Sequence, residues 1–262
     1  MCSKYHAEIC TSISDAIDQM ETEYSRLAAE QTAFDRFASR VENLSPDRRP
    51  SQDQRVGYDQ QVAPQTLSVV REAYSETVMD LSHYEDDYDD SYEESVTEEF
   101  GPELAVLLTK SDHFLPATKA TLVDKIDIAI QQRDAFHRVV DRELQSLRSA
   151  ATDIRSVTDT LAELSDTPFE SSSFGALDAY YQQTDVLFTE CDAIASDRQN
   201  DLVAIQRSWQ SNASLRALVD YFYQSLPVTY PVLATLGELG ETISRVRREI
   251  EQAIIYGQSA QL

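Results

Sequence analysis

From position 4 to position 44 the apolar residues recur every three or four places: Cys10, Ile13, Ile17, Met20, Tyr24, Leu27, Phe34, Ala38 and Val41. Gln31 is the one polar residue read into that row. The period places the row on one face of a helix, as a coiled-coil-like seam sustained over several heptads. Ser45-Pro46 closes this first rod, because proline disfavours helical geometry in the residue before it. The stretch that follows is polar, contains Pro50, Gly57 and Pro64, and has no period, so 45–65 reads as a flexible connection.

A second rod is predicted over 116–165. Its seam runs Ile126, Ala129, Arg133, Phe136, Val140, Glu143, Leu147, Ala150, Ile154, Val157, Leu161 and Leu164. At a rise of ~1.5 Å per residue such a rod is roughly 70 Å long. The turn SDTPFESSS leads into a third rod over 174–211, with Leu177, Tyr181, Thr184, Phe188, Cys191, Ala195, Arg198, Leu202, Ile205 and Trp209 on its seam. A short aromatic helix over 212–230 precedes the last rod, 231–256, whose seam is Val232, Leu236, Leu239, Ile243, Val246, Ile250 and Ala253. No segment shows the two-residue alternation of a half-buried strand.

The stretch 66–115 differs from the rods. Leu67, Val70, Tyr74, Val78 and Leu81 form one helical face, and Tyr88, Tyr92, Val96 and Phe100 form a second at four-residue spacing. Gly101-Pro102 punctuates the chain before the short helix ELAVLL, proline being tolerated in a first turn. Two or three short helices are therefore expected. The fold class is all-α: a single domain over 1–262, built as an elongated antiparallel bundle of four long coiled-coil-like helices with a cap of short helices at one pole. Up-and-down connectivity brings the segment DYFYQSLPVTYP to the same pole. Tyr84, Tyr88 and Tyr92 would there join Tyr221, Tyr223 and Tyr230 in a candidate binding patch, tyrosine being favoured at interfaces. The same four-residue spacing also suits a core face whose hydroxyls reach the surface.

Charge then changes the picture. There are 46 acidic and 22 basic residues, a formal net charge of −24, and the only lysines are Lys4, Lys110, Lys119 and Lys125. So acidic a chain repels itself in dilute buffer and is relieved by salt, which points to a salt-loaded cytoplasm. The charge disfavours nucleic acid as a partner, although high salt weakens that argument. Cys2, Cys10 and Cys191 are odd in number and far apart, which suggests neither a zinc site nor a disulfide framework. The N-terminal segment lacks a signal-peptide apolar core, and no apolar run reaches the ~18–20 residues of a membrane span. A soluble, cytoplasmic protein is expected.

Candidate chemistry is sparse. Asp80 and His83, three residues apart, would share a helical face, and with Glu85 they are the candidate metal ligands; Asp134 and His137 repeat the spacing. The acidic run from Glu85 to Glu99 lacks the glycine turn of a calcium loop and reads as a solvated helix face. Arg133, Arg198 and Glu143 interrupt apolar seams, either as a buried ionic device between rods or as side chains snorkelling at a seam edge. Arg245, Arg247 and Arg248 form the densest basic cluster, too small for a nucleic-acid footprint. Phosphate-binding glycine loops, a GxSxG elbow and HExxH are absent, and His6, His83, His113 and His137 are scattered, so no cofactor is called for. The leading expectation is a non-enzymatic interaction or scaffold protein that takes a protein partner or self-associates. The alternatives are a metal-dependent enzyme or sensor using Asp80 and His83, and a transcription-linked regulator using helices around Val70 to Leu81.

The wording of four blocks adds to this reading. REAYSETVM, HYEDDYDDSYEES, EEFGPELAVLL and VTYPVLATL resemble a haloarchaeal family of mostly helical proteins, a domain of unknown function numbered 7260. The resemblance covers most of the chain, least of all 45–65. It implies a halophilic archaeal cytoplasm and a helical fold, and it supplies no catalytic residues.

Overall fold

The computed structural model describes residues 11–47, 66–111, 113–209 and 215–259. Most of the expected connection, from 48 to 65, lies outside the described residues, as do Cys2, Lys4, His6 and Cys10. The helices are α1 (Thr11–Asn43), α2 (Thr66–Ser75), α3 (Tyr84–Asp87), α4 (Tyr92–Phe100), α5 (Pro102–Lys110), α6 (Pro116–Ser165), α7 (Phe174–Ser208), α8 (Leu215–Tyr223) and α9 (Pro231–Ser259). A single 3-10 turn, Phe169–Ser171, lies between α6 and α7, and no strand occurs among the described residues. The fold is all-α, as the periodicity requires.

The chain divides into two compact units. One takes Tyr24–Arg138, and the other Met1–Glu23 with Val139–Leu262. Helices α1 and α6 each contribute residues to both. Apolar period reveals which face of a helix is buried, but not which stretches of that face share a core.

In the Tyr24–Arg138 unit, the two short-helix faces predicted separately merge into one core. Phe34 and Phe37 of α1 meet Val70 and Tyr74 of α2, Val96 and Phe100 of α4, Leu104 and Leu108 of α5, and Leu122 and Ile126 of α6. Phe37 packs edge-on to Tyr74 with centroids 5.1 Å apart, and Phe100 lies 5.9 Å from the same ring. These are the separations at which edge-to-face pairs add to simple burial. The end of α1 is closed from outside the helix. Lys119 Nζ donates to the carbonyls of Glu42 and Leu44, both at 2.7 Å, occupying acceptors that a helix terminus leaves free. Asp47 then ties the entries of α2 and α6 together, accepting from Thr66 Oγ1 at 2.7 Å and from the Phe114 amide at 2.8 Å.

Between α2 and α5 the chain is broken by local chemistry. The amides of Thr77, Val78 and Met79 all turn back to the Tyr74 carbonyl, which ends α2. Helix α3 is a single turn, and Asp89 takes a left-handed conformation (φ 47°) that aspartate tolerates better than most residues. Ser91 then caps α4 with a reciprocal capping box, accepting from the Glu94 amide while Glu94 accepts from its own. Gly101 (φ 87°, ψ 159°) links α4 to α5, and Pro102 occupies the first turn of α5.

In the other unit, α7 packs along α9, and α8 packs on α7. The last rod buries Val232, Leu236, Leu239, Ile243, Val246 and Ile250, the seam read from the sequence except for Ala253, which is half-buried. Ser173 caps α7 by accepting from the Ala176 amide.

Candidate functional site

Each unit buries a network of charged side chains. In the Tyr24–Arg138 unit the centre is Arg133 of α6. Its Nε donates to Glu30 Oε2 at 3.0 Å, its Nη1 donates to Glu99 Oε2 at 3.1 Å, and its Nη2 pairs with the second Glu99 oxygen. The guanidinium also lies 4.0 Å over the Phe34 ring, a cation–π contact. Burial opposes the Arg133 charge, but Glu99 and Glu30 outweigh it and raise its pKa. Glu30 has two further neighbours on its other oxygen: the Tyr88 hydroxyl donates to it at 3.1 Å, and His83 Nε2 stands 3.4 Å away without making a hydrogen bond. Burial and then Glu30 push the Tyr88 phenol up, so it remains a donor at neutral pH.

The seam carried a signal for Glu30. Leu27, Glu30, Phe34, Phe37 and Val41 step three, four, three, four, the spacing of a strict coiled-coil seam. The expected polar member was Gln31, but the buried one is Glu30, and Gln31 is only half-buried. Glu30 is the interior acid on α1 because Arg133 and Tyr88 receive it.

The second network joins α6, α7 and α8. Glu143 is 0% exposed and Arg198 4% exposed, and they face each other as a bidentate pair, with 3.0 Å between Nη1 and Oε2. Arg198 Nη1 also donates to Ser146 Oγ at 2.8 Å, and Ser146 donates to Asp201 at 2.6 Å. The buried Tyr223 hydroxyl donates to Glu143 and accepts from Arg198 at 3.3 Å. Burial first and Glu143 second raise the Tyr223 phenol far beyond its ordinary range. Arg198 is therefore a buried ionic device and Arg133 a half-buried one, each held by carboxylates from other helices. The arrangement supplies permanent donors and acceptors that lock helices together, and neither arginine is suited to exchange a proton at neutral pH.

The structure divides the candidate patch between the units. Tyr84, Tyr88 and Tyr92 belong to one, and Tyr221, Tyr223 and Tyr230 to the other. Tyr84 is buried and Tyr88 44% exposed, their rings packed with centroids 5.4 Å apart, and the Asp89 turn that follows them takes half-buried Tyr92 out of their register. Tyr223 is buried, whereas Tyr221 and Tyr230 are exposed. Tyr221 donates to Glu23 at 2.7 Å.

The expected metal ligands are not brought together. Asp80 and His83 lie on turns rather than one helical face, Asp80 and Glu85 are exposed, and His83 is buried against Glu30. Asp134 pairs with Arg138, and His137 packs on Tyr24 with centroids 4.0 Å apart. Among the described residues no three His, Cys, Asp or Glu side chains form a group able to hold a metal ion. The acidic run is divided between α3 and α4, and its Glu99 turns inward to Arg133. No helix among the described residues is long and apolar enough to cross a membrane.

No curated protein and no solved structure matches the chain. One family model does, over residues 11–247, which takes in every buried pair and every tyrosine discussed above. The chain belongs to the family of that model, the domain of unknown function DUF7260.

Proposed function

We propose that the protein is a non-enzymatic helical interaction or scaffold protein of a high-salt cytoplasm, taking a protein partner or a second copy of itself. The observation that carries this reading is where the interior charges go. Arg133 and Arg198 are committed, with Glu30, Glu99 and Glu143, to holding one helix against another. Such pairs favour one packing register over others, which suits a frame that presents a fixed surface. The exposed rings of Tyr88 on one unit and of Tyr221 and Tyr230 on the other offer large, rigid contact area at little entropic cost. The net charge of −24 favours a high-salt setting, where self-repulsion is screened.

Sedimentation equilibrium and affinity purification, both in molar potassium chloride, test the reading. A stoichiometric complex or self-association weakened by Tyr88→Ser, or by Tyr221→Ser with Tyr230→Ser, is the expected result. A strictly monomeric protein recovered alone, with turnover of a small molecule, would sink it.

A further inference from the structure

The buried seams of α7 and α9 account for one face of each helix, and the opposite faces are unusual for so acidic a protein. In a chain of which 26% is charged, the solvent face of α7 steps through Ala179, Gln182, Val186, Thr189, Ala193 and Ser196 without a charge, and all are exposed. The three- and four-residue steps are those of a coiled-coil seam, here turned to water. Among the described residues, the four most exposed large apolar side chains are Tyr256, Ile255, Phe174 and Val186, all on α7 or α9. Apolar bulk grouped in this way on a surface marks an interaction site.

Register brings these side chains together. A methyl added to Gly240 of α9 would lie 3.9 Å from the Phe188 ring of α7. Seven residues further along α9, Arg247 donates to Asp185 at 2.7 Å and lies 4.1 Å over the Tyr181 ring. The two helices therefore run antiparallel, and Ile255 and Tyr256 come level with Phe174. On α7 the row touching α9 (Tyr181, Asp185, Phe188) and the uncharged row are about 100° apart. On α9 the row touching α7 (Gly240, Arg247) and the exposed row Arg248, Gln252, Ile255 are about 100° apart in the same sense. Antiparallel neighbours turned equally in one sense present both outer rows on the same side of the pair.

Charge selects what lies on that side. Asp178, Asp185 and Asp192 border the uncharged row, which disfavours a second α7 against it, whereas α9 exposes Arg245 and Arg248. Arg248 donates from its Nε to the Ser244 carbonyl of its own helix at 3.2 Å and forms no ion pair among the described residues. A two-fold axis parallel to the helices leaves every residue at its own height. It lays α9 of one copy on α7 of the other, with Arg248 level with Asp178, and Ile255 and Tyr256 level with Phe174. Two such contacts, each roughly 35 Å long and ~10 Å wide, cover roughly 700 Å² per copy, close to the ~800 Å² per partner of a standard interface.

We propose that the chain forms a two-fold dimer through this face, α9 of each copy lying on the uncharged row of α7 of the other. The dimer rests on the interaction reading and narrows its partner to a second copy.

Sedimentation equilibrium of the full chain in molar potassium chloride is the experiment. A dimer is expected, its dissociation constant raised roughly tenfold or more by Val186→Asp and by Ile255→Ser with Tyr256→Ser. Arg248→Glu raises it as well, and Val106→Asp, an equally exposed apolar position on α5, leaves it unchanged. Circular dichroism confirms that each variant keeps its helicity, every changed side chain being exposed. A wild-type monomer would overturn the proposal, and if that monomer still captures a protein partner the interaction reading survives it. A dimer indifferent to Val186→Asp, to Ile255→Ser with Tyr256→Ser and to Arg248→Glu would put the contact elsewhere and overturn the proposal too.

Discussion

Arg198 is a charged side chain 4% exposed on a face otherwise made of leucine, isoleucine, cysteine and threonine. Removing one member of such a pair leaves the other charged and buried, at a cost of about 3–5 kcal/mol, whereas replacing both with apolar residues is often close to neutral. Arg198→Met is therefore expected to destabilise strongly, and Glu143→Leu combined with Arg198→Met to recover much of the loss. Urea midpoints for the two single variants and the double variant measure this as a cycle. Cys191 gives a second test, because burial pushes its thiol from 9.0 up to about 11. The folded chain holds that proton more tightly than the unfolded chain. The resulting stability is complete below pH 9 and is lost as pH rises toward 11. Urea midpoints should fall across that window, and Cys191→Ala should flatten the fall. At this scale the sequence was partly legible. Arg133, Glu143 and Arg198 stand out as charges in apolar seams, but their partners do not, because pairing depends on which helices meet. Glu30 shows why: one residue along a helix is a turn of 100°, enough to move the buried acid off the position assigned to Gln31.

At the scale of the element, the long helices were legible and the short ones were harder. The seam of α9 needs nothing beyond its own period. The run from Tyr84 to Glu99 has a helix-like spacing of tyrosines, yet Asp89 and the Ser91 cap divide it. Ser91→Ala should cost about 1 kcal/mol by removing the capping acceptor. Gly101→Ala should cost roughly 1–3 kcal/mol, since its positive φ with extended ψ is almost confined to glycine. An added methyl there would meet nothing within 4 Å, so the cost is conformational rather than steric. Thermal unfolding followed at 222 nm compares both variants with wild type. The capping box was visible in the letters SYEE; what obscured it was the density of acids around it, any of which could serve as a helix-face residue.

At the scale of the molecule, the unexpected feature is the division into two units. The sequence reports one continuous helical period along each of α1 and α6, and nothing in that period marks where one core ends and another begins. Net charge belongs to this scale as well. With 46 acids against 22 bases, stability should rise with potassium chloride up to the molar range as self-repulsion is screened, and melting temperatures across a salt series measure it. The central claim is that interior charges hold the frame while the surface makes the contacts. Capture of a stoichiometric partner from the native organism in molar potassium chloride tests it most directly when three baits are compared. These are wild type, the Glu143→Leu/Arg198→Met pair, and the Tyr221→Ser/Tyr230→Ser pair. The account predicts that the partner stays with the first two and leaves the third. A partner lost with the interior pair but kept by the tyrosine pair, or no partner and no self-association with any bait, would contradict it.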